Sequence, residues 1–154
     1  MAFNEQKLIH TILGHSYLFY LVGFLVGAVL HMFFGYQLAE SPMNFVGIVL
    51  IIVGSVITFW AQATSRETKQ IIQGKEVIHE HFYRGPYKYT RSPTQLSLGY
   101  IMIGVAFIFN SLLMMICAIL SFFIVRYIFI NKEEHMLEKK YGEPYQIYKK
   151  RVKF

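Results

Sequence analysis

The sequence predicts an all-α integral membrane protein with four transmembrane helices and a cytosolic C-terminal helical extension. The composition supports this class, because 55% of the 154 residues are hydrophobic and only 16% are charged, against roughly 25% charged in soluble domains. The length is that of one domain, and a single cysteine excludes a disulfide scaffold. A net charge of +6 on such an apolar chain favours positively charged membrane loops over nucleic-acid binding.

Four apolar stretches predict the spans, at about 17–36, 45–63, 93–109 and 112–130. A spanning helix needs about 20 apolar residues, so the third stretch reaches a useful length only if it begins near Pro93 and ends at Asn110. We expect it to pack inside the bundle against the fourth helix. A tight turn at Asn110-Ser111 would then join the two as a helical hairpin, and Gly23-x-x-x-Gly27 predicts close packing of the first helix.

The positions of the basic residues predict the orientation. All 15 Lys and Arg residues except Arg126 lie on one side of a path through four helices. The positive-inside rule places this side, with both termini, in the cytoplasm. Under the same rule Lys149-Lys150-Arg151 form a positively charged flank, and contact with anionic lipid headgroups is the alternative.

Two cytosolic segments, the loop 77–92 and the tail 131–154, hold most of the polar residues. We expect the second span to continue as a helix into the cytosol, and a short amphipathic helix to close the chain. The predicted breaks are a helix end at Gly74, a turn at Gly85-Pro86, a helix start at Pro93 and an interruption at Gly142 and Pro144.

Both segments carry motifs of a known family. Gly85-Pro86-Tyr87-x-Tyr89-x-Arg91-Ser92-Pro93 resembles the GPYxxxRHPxY stretch of isoprenylcysteine carboxyl methyltransferases and related phospholipid methyltransferases. Glu133-Glu134-x-x-Leu137, followed by Tyr141-Gly142-x-x-Tyr145-x-x-Tyr148-x-x-Arg151-Val152, resembles the ending EExxLxxxFGxxYxxYxxRV. The match covers about half of the chain, from Gly85 onward. The resemblance implies a membrane-embedded fold that binds S-adenosylmethionine (SAM) at its cytosolic face and admits a lipophilic acceptor sideways from the bilayer.

The resemblance assigns a cofactor site to eight residues: Gly85, Tyr87, Tyr89, Arg91, Ser92, Pro93, Glu133 and Glu134. Arg91 suits the carboxylate of SAM, because a guanidinium pairs with it bidentately, and Glu133 or Glu134 would hold the amino group. Tyr87 or Tyr89 would stack on the adenine, and Gly85 allows close backbone approach. The site therefore requires the guanidinium and the two acids to meet on the cytosolic side.

Arg126 and Glu134 are the residues that we expect to act in catalysis. A charge within a span is costly and usually functional, and Arg126 precedes Glu133 by seven residues, near the same face of a regular helix. Arg126 would line the route of the acceptor or orient a substrate carboxylate; the alternative is that it snorkels to the cytosolic boundary. In-line positioning and exclusion of water would supply most of the catalysis.

The acceptor expected is a carboxylate or thiol on an isoprenoid-bearing molecule, or a lipid amine, and the other partners are membrane lipids. No metal is predicted, because His79 and His81 lack a third ligand at suitable spacing. Ser92 and Gln95 replace the histidine and tyrosine of the family pattern, and this departure motivates one alternative, an inactive membrane partner protein of the same fold. A further alternative is a nicotinamide-dependent membrane reductase, since sterol reductases resemble the tyrosine-and-arginine ending.

Overall fold

The structure is a computed structural model that describes residues 2–39, 43–72 and 77–152, with side chains from residue 15 onward. Within these ranges the chain forms six α-helices and no β-strand. The helices are α1 (Ala2–Phe34), α2 (Asn44–Ile72), α3 (Pro93–Ile108), α4 (Leu112–Ile124), α5 (Asn131–Tyr141) and α6 (Glu143–Arg151). A π-helical stretch, Val125–Ile130, joins α4 to α5 without a break. The all-α class is confirmed for the described residues.

Three helical segments are long and apolar enough to cross a membrane: His15–Phe34, Asn44–Ile72 and the continuous helix Leu112–Tyr141. Their outward faces carry large exposed apolar side chains, such as Phe45 and Phe59 on α2. Helix α3 is apolar but shorter, with 16 residues, or about 24 Å at 1.5 Å per residue. The three long segments indicate a chain that crosses a membrane more than once.

The helices pack in the order α2, α3, α4, α1, because α3 contacts both α2 and α4 while α1 packs along α4. Glycines allow the closest approaches. A Cβ added to Gly54 of α2 would lie 2.8 Å from the carbonyl oxygen of Ser97 in α3, and one added to Gly27 would lie 3.1 Å from the Cα of Met114. The predicted packing of α3 against α4, and of the glycine pair on α1 against another helix, is confirmed.

Asn110 forms the predicted hairpin turn between α3 and α4. Its backbone has φ +47°, a conformation that asparagine tolerates better than most residues. The carboxamide Oδ1 accepts a hydrogen bond from the backbone N–H of Ala39 at 3.0 Å, and Nδ2 donates to the Ala39 carbonyl at 2.9 Å. The Ser111 hydroxyl caps α4 by accepting from Met114 N–H at 3.2 Å. The turn is thereby fixed to the segment that follows α1.

The breaks predicted at Gly85, Pro93 and Gly142 lie at these residues in the structure. Helix α2 continues past its apolar part to Ile72, and the predicted end at Gly74 lies outside the described residues. Gly85 begins a 3-10 turn, and Pro93 is the first residue of α3. Gly142 has φ +63° and ψ −137°, which glycine adopts readily, and it separates α5 from α6.

The π-helical stretch is a difference from the predicted regular fourth helix. Its six residues contain neither glycine nor proline, so the sequence carries no break signal there. In a π-helix the backbone hydrogen bonds join residues five apart instead of four. The residues before the stretch are therefore rotated about the helix axis relative to those after it. Arg126 lies within this stretch, whereas Glu134 lies beyond it in α5.

Candidate functional site

Arg91 and Glu134 form an ion pair next to the first turns of α3 and α5. Arg91 Nη1 lies 2.8 Å from Glu134 Oε2, and the two side chains are 13% and 7% exposed. Because Pro93 disfavours helical backbone at the residue before it, Ser92 has φ −131° and ψ +63°. Arg91 therefore projects from a non-helical segment towards the first turn of α5.

A second cation approaches the same carboxylate from α6. Lys149 Nζ lies 3.1 Å from Glu134 Oε2 and 2.8 Å from Glu138 Oε1. The hydrogen bond to Glu138 is the main cause of a raised pKa of Lys149, burial acts against it, and Glu134 adds to the increase. We call Arg91, Glu134, Glu138 and Lys149 the ion cluster. It joins the loop before α3 to both C-terminal helices.

Tyr87 lies close to Glu133, the other acid of the motif. Burial raises the pKa of Tyr87, hydrogen bonds with the side chains of Ser65 and Thr94 act in the opposite direction, and the charge of Glu133 adds to the increase. The Tyr87 hydroxyl is therefore placed among α2, α3 and α5. Glu133 is partly buried and directly precedes Glu134 of the ion cluster in the chain.

An aromatic cluster of Phe82, Tyr87, Tyr145 and Tyr148 packs the loop before α3 against α6. Tyr145 and Tyr148 are each 3% exposed, and the Phe82 ring meets that of Tyr145 edge-on with centroids 5.5 Å apart. The Tyr148 hydroxyl donates a hydrogen bond to the Tyr87 carbonyl oxygen at 2.8 Å. Burial raises the pKa of Tyr145 and of Tyr148, so both phenols are neutral at physiological pH.

A cavity of about 640 Å³ lies between the start of α3 and the π-helical stretch. Its wall includes Tyr89, Ser92, Gln95, Phe122, Arg126 and Tyr127. Arg126 is the charged residue of this wall, and within the described part of the chain it forms no ion pair with an acid. The cavity thus combines an apolar wall with one cation.

The structure divides the sequence-predicted site residues into three groups. Arg91 and Glu134 contact each other, with Glu133 beside them; Tyr89, Ser92 and Arg126 line the cavity. The third group packs within the protein. Pro93 is fully buried, Tyr87 packs against the aromatic cluster, and a Cβ added to Gly85 would collide with the Thr64 side chain of α2. The close approach at Gly85 is therefore to Thr64.

Sequence reasoning missed two residues of this region. Lys149 was assigned to a charged flank, yet it joins the ion cluster because the corner at Gly142 folds α6 back on α5. Gln95 stands in the tyrosine position of the family pattern, and it ties α3 to α1: its Nε2 donates to Ser16 Oγ at 2.8 Å, and its backbone carbonyl accepts from Tyr20 at 3.3 Å. The break at Gly142 and Pro144 predicts a corner but not its angle, so it does not place Lys149, and no sequence signal marks the contacts of Gln95.

A family model described as phospholipid methyltransferase matches residues 42–144. The match covers about two thirds of the chain, from just before α2 to the beginning of α6. It includes Arg91, Arg126, Glu133 and Glu134, and it excludes α1 and Lys149. Searches of curated proteins and of solved structures find no match.

Proposed function

Because the chain belongs to the phospholipid methyltransferase family, we propose that it is a SAM-dependent methyltransferase that acts on a lipophilic acceptor at the cytosolic membrane face. The cofactor binds beside Arg91, Glu133 and Glu134, and the acceptor enters the cavity beside Arg126. The acceptor is a lipid amine, or a carboxylate or thiol on an isoprenoid-bearing molecule.

The contact between Arg91 and Glu134 is the observation that carries this proposal. SAM carries one carboxylate and one ammonium group. The ion pair likewise consists of one carboxylate, on Glu134, and one cationic group, on Arg91. Arg91 can exchange Glu134 for the carboxylate while Glu134 exchanges Arg91 for the ammonium group, and every charge stays paired. Since an unpaired buried charge costs about 3–5 kcal/mol, the pair fits a zwitterion better than a simple anion or cation.

The other residues of the loop suit the remaining parts of the cofactor. Bound SAM supplies an electrophilic methyl group on its sulfonium, and the chain supplies position and exclusion of water. Tyr89 is 76% exposed on the cavity wall, so its ring is available to stack on an adenine. Tyr87 is held in the aromatic cluster and fixes the loop from which Tyr89 projects.

The cavity supports an acceptor site next to the cofactor site. Ser92 lines the cavity and directly follows Arg91 in the chain, so the two sites are one residue apart along the backbone. Phe122 and Phe123 offer an apolar wall, and Arg126 offers a cation for a polar headgroup or carboxylate. Arg126 thus orients the acceptor and Glu134 orients the cofactor, which are the catalytic roles that we assign to them.

A four-span topology accounts for the position of both sites. Helix α3 is shorter than the three long segments, but it packs between α2 and α4 and can cross where neighbouring helices shield it. Four crossings put both termini, the ion cluster and the basic loops on one side. The positive-inside rule makes that side cytoplasmic.

Transfer of a labelled methyl group tests the proposed function. Purified protein in detergent is incubated with methyl-labelled SAM and total membrane lipid, and the labelled lipids are separated and identified. The wild type should produce a labelled lipid, while Arg91→Ala and Glu134→Gln should lower the rate at least about 100-fold, as expected for loss of positioning groups. The matched control is Lys139→Gln, an exposed residue of α5 for which no ion pair is found among the described residues.

Three results would contradict the proposal. No labelled product from the wild type would favour the inactive partner protein. Lipid-dependent oxidation of NADPH, without methyl transfer, would favour the reductase. Equal loss of activity in Lys139→Gln and Glu134→Gln would remove the assigned site, because the exposed control should not affect it.

A further inference from the structure

Helix α6 supplies a cation to the carboxylate that the proposed cofactor site depends on. Lys149 Nζ and Arg91 Nη1 both contact Oε2 of Glu134, at 3.1 and 2.8 Å. One oxygen of Glu134 is thus held from two directions, by the loop before α3 and by α6. Neither ion pair uses the second oxygen, Oε1.

The two cations differ in what else they contact. Lys149 also pairs with Glu138 at 2.8 Å, one turn further along α5 than Glu134. Arg91 lies in the loop of the motif and is the better shielded of the two, with 13% of its side chain exposed against 36% for Lys149. Lys149 is therefore anchored to α5 independently of Arg91.

We propose that Lys149 is a positioning residue that keeps Glu134 oriented and paired with a cation while Arg91 binds the carboxylate of the cofactor. This inference rests on the proposed function. When Arg91 turns from Glu134 to the cofactor, Lys149 remains on Oε2, and Glu134 keeps a cation partner throughout the exchange. Oε1 then faces the ammonium group of the cofactor without competition from either ion pair.

This role predicts a particular kinetic signature. Lys149 acts through Glu134 and contacts neither reacting atom, so its loss should weaken SAM binding and leave the rate at saturating SAM nearly unchanged. A role confined to holding α6 against α5 predicts a different result: a lower melting temperature, with unchanged affinity of the folded protein for SAM.

Titration calorimetry of the full chain in detergent with SAM separates these roles. Lys149→Gln should bind SAM about tenfold more weakly, as expected for loss of a hydrogen bond to a charged group at a partly exposed site. In the methyl-transfer assay its KM for SAM should rise, while its kcat should stay within about twofold of the wild-type value. Lys149→Arg, which restores the cation, should recover the affinity to within about threefold.

Two control variants complete the design. Glu138→Gln weakens the anchor of Lys149 on α5 but leaves the contact with Glu134, so its SAM affinity should stay within about twofold of wild type. Lys150→Gln removes the neighbouring exposed lysine and should have no effect. Lys149→Met, which keeps the aliphatic stem, replaces Lys149→Gln if that variant does not melt cooperatively.

Each outcome supports or overturns the inference. Unchanged SAM affinity in Lys149→Gln overturns it, and so does an equal loss in Glu138→Gln, which would assign Lys149 to the α5–α6 corner. Failure of the wild type to bind SAM would overturn the proposed function itself and this role with it. Tight binding by the wild type together with unchanged binding by Lys149→Gln would refute the inference alone.

Discussion

The ion pair between Arg91 and Glu134 can be tested by a double-mutant cycle that needs no ligand. The cycle uses Arg91→Ala, Glu134→Ala and the combination of both. Side-chain exposures of 13% and 7% shield this contact from solvent, so the coupling between the two residues should exceed that of an exposed salt bridge, which contributes about 0–1 kcal/mol.

The expected energies follow from the partners that each substitution leaves behind. Arg91→Ala removes one of the two cations that contact Glu134, and Lys149 stays 3.1 Å away. It should lower the free energy of unfolding by about 2 kcal/mol. Glu134→Ala removes the carboxylate that both cations share, while Lys149 keeps Glu138, and should cost about 3 kcal/mol, the low end for a broken buried pair. If the two residues were independent, the double variant would lose about 5 kcal/mol of unfolding free energy. It should lose only about 3 kcal/mol, which corresponds to a coupling of about 2 kcal/mol.

Thermal unfolding in detergent micelles measures these differences. A thiol-reactive fluorophore reports the exposure of Cys117, the one cysteine of the chain, whose Cβ faces Gly27 of α1. At about 2–4 °C per kcal/mol for a chain of this size, Arg91→Ala should lower the melting temperature by about 4–8 °C. The contact would be refuted if the loss of stability in the double variant equalled the sum of the two single losses to within about 0.4 kcal/mol.

Three other predictions concern the fold. Asn110→Ala loses two hydrogen bonds to Ala39 and strains a backbone at φ +47°, so it should lower the free energy of unfolding by about 2–3 kcal/mol in the same melts, and Asn110→Gly by about 1 kcal/mol less; equal stability of all three proteins would contradict the turn. Gly54→Val should destabilise the protein by at least about 2 kcal/mol, because its Cβ would meet the Ser97 carbonyl at 2.8 Å; a wild-type melt would contradict this packing. Burial raises the pKa of Tyr145 and Tyr148, so their contribution to stability is full below the unfolded-state pKa of about 10 and is lost as the pH rises further. Tyrosinate absorbance should show that these phenols ionise only when the protein unfolds. Ionisation of either phenol in the folded protein would refute the burial.

The positions of the helices were largely predictable because their signals are local. Apolar stretches predict the helices, and Pro93, Asn110 and Gly142 each carry a backbone preference that acts at its own position. The π-helical stretch Val125–Ile130 was not predictable. Its residues are typical of an ordinary apolar helix, and no residue type in it requires the wider turn.

The candidate site was predictable only in part. The motifs placed Arg91 and the acids of α5 on one side, and the ion pair with Glu134 agrees with that expectation; their binding of a cofactor stays a prediction. Lys149 was not predictable, since its contact depends on the angle at Gly142, which spacing along the chain does not give. The sequence also left Tyr87 and Tyr89 equivalent, and burial separates them: Tyr87 packs in the aromatic cluster, and Tyr89 is exposed at the cavity.

Photochemical cross-linking of labelled SAM shows directly whether the cofactor binds beside Arg91 and the acids of α5. The purified chain is irradiated with the cofactor, with excess unlabelled S-adenosylhomocysteine as competitor, and the labelled peptides are sequenced. Label should appear in the loop 85–92 or in α5, and both the competitor and Arg91→Ala should abolish it. Label confined to α1 or to the far ends of the helices near Asn110, or label that the competitor does not displace, would contradict this binding site.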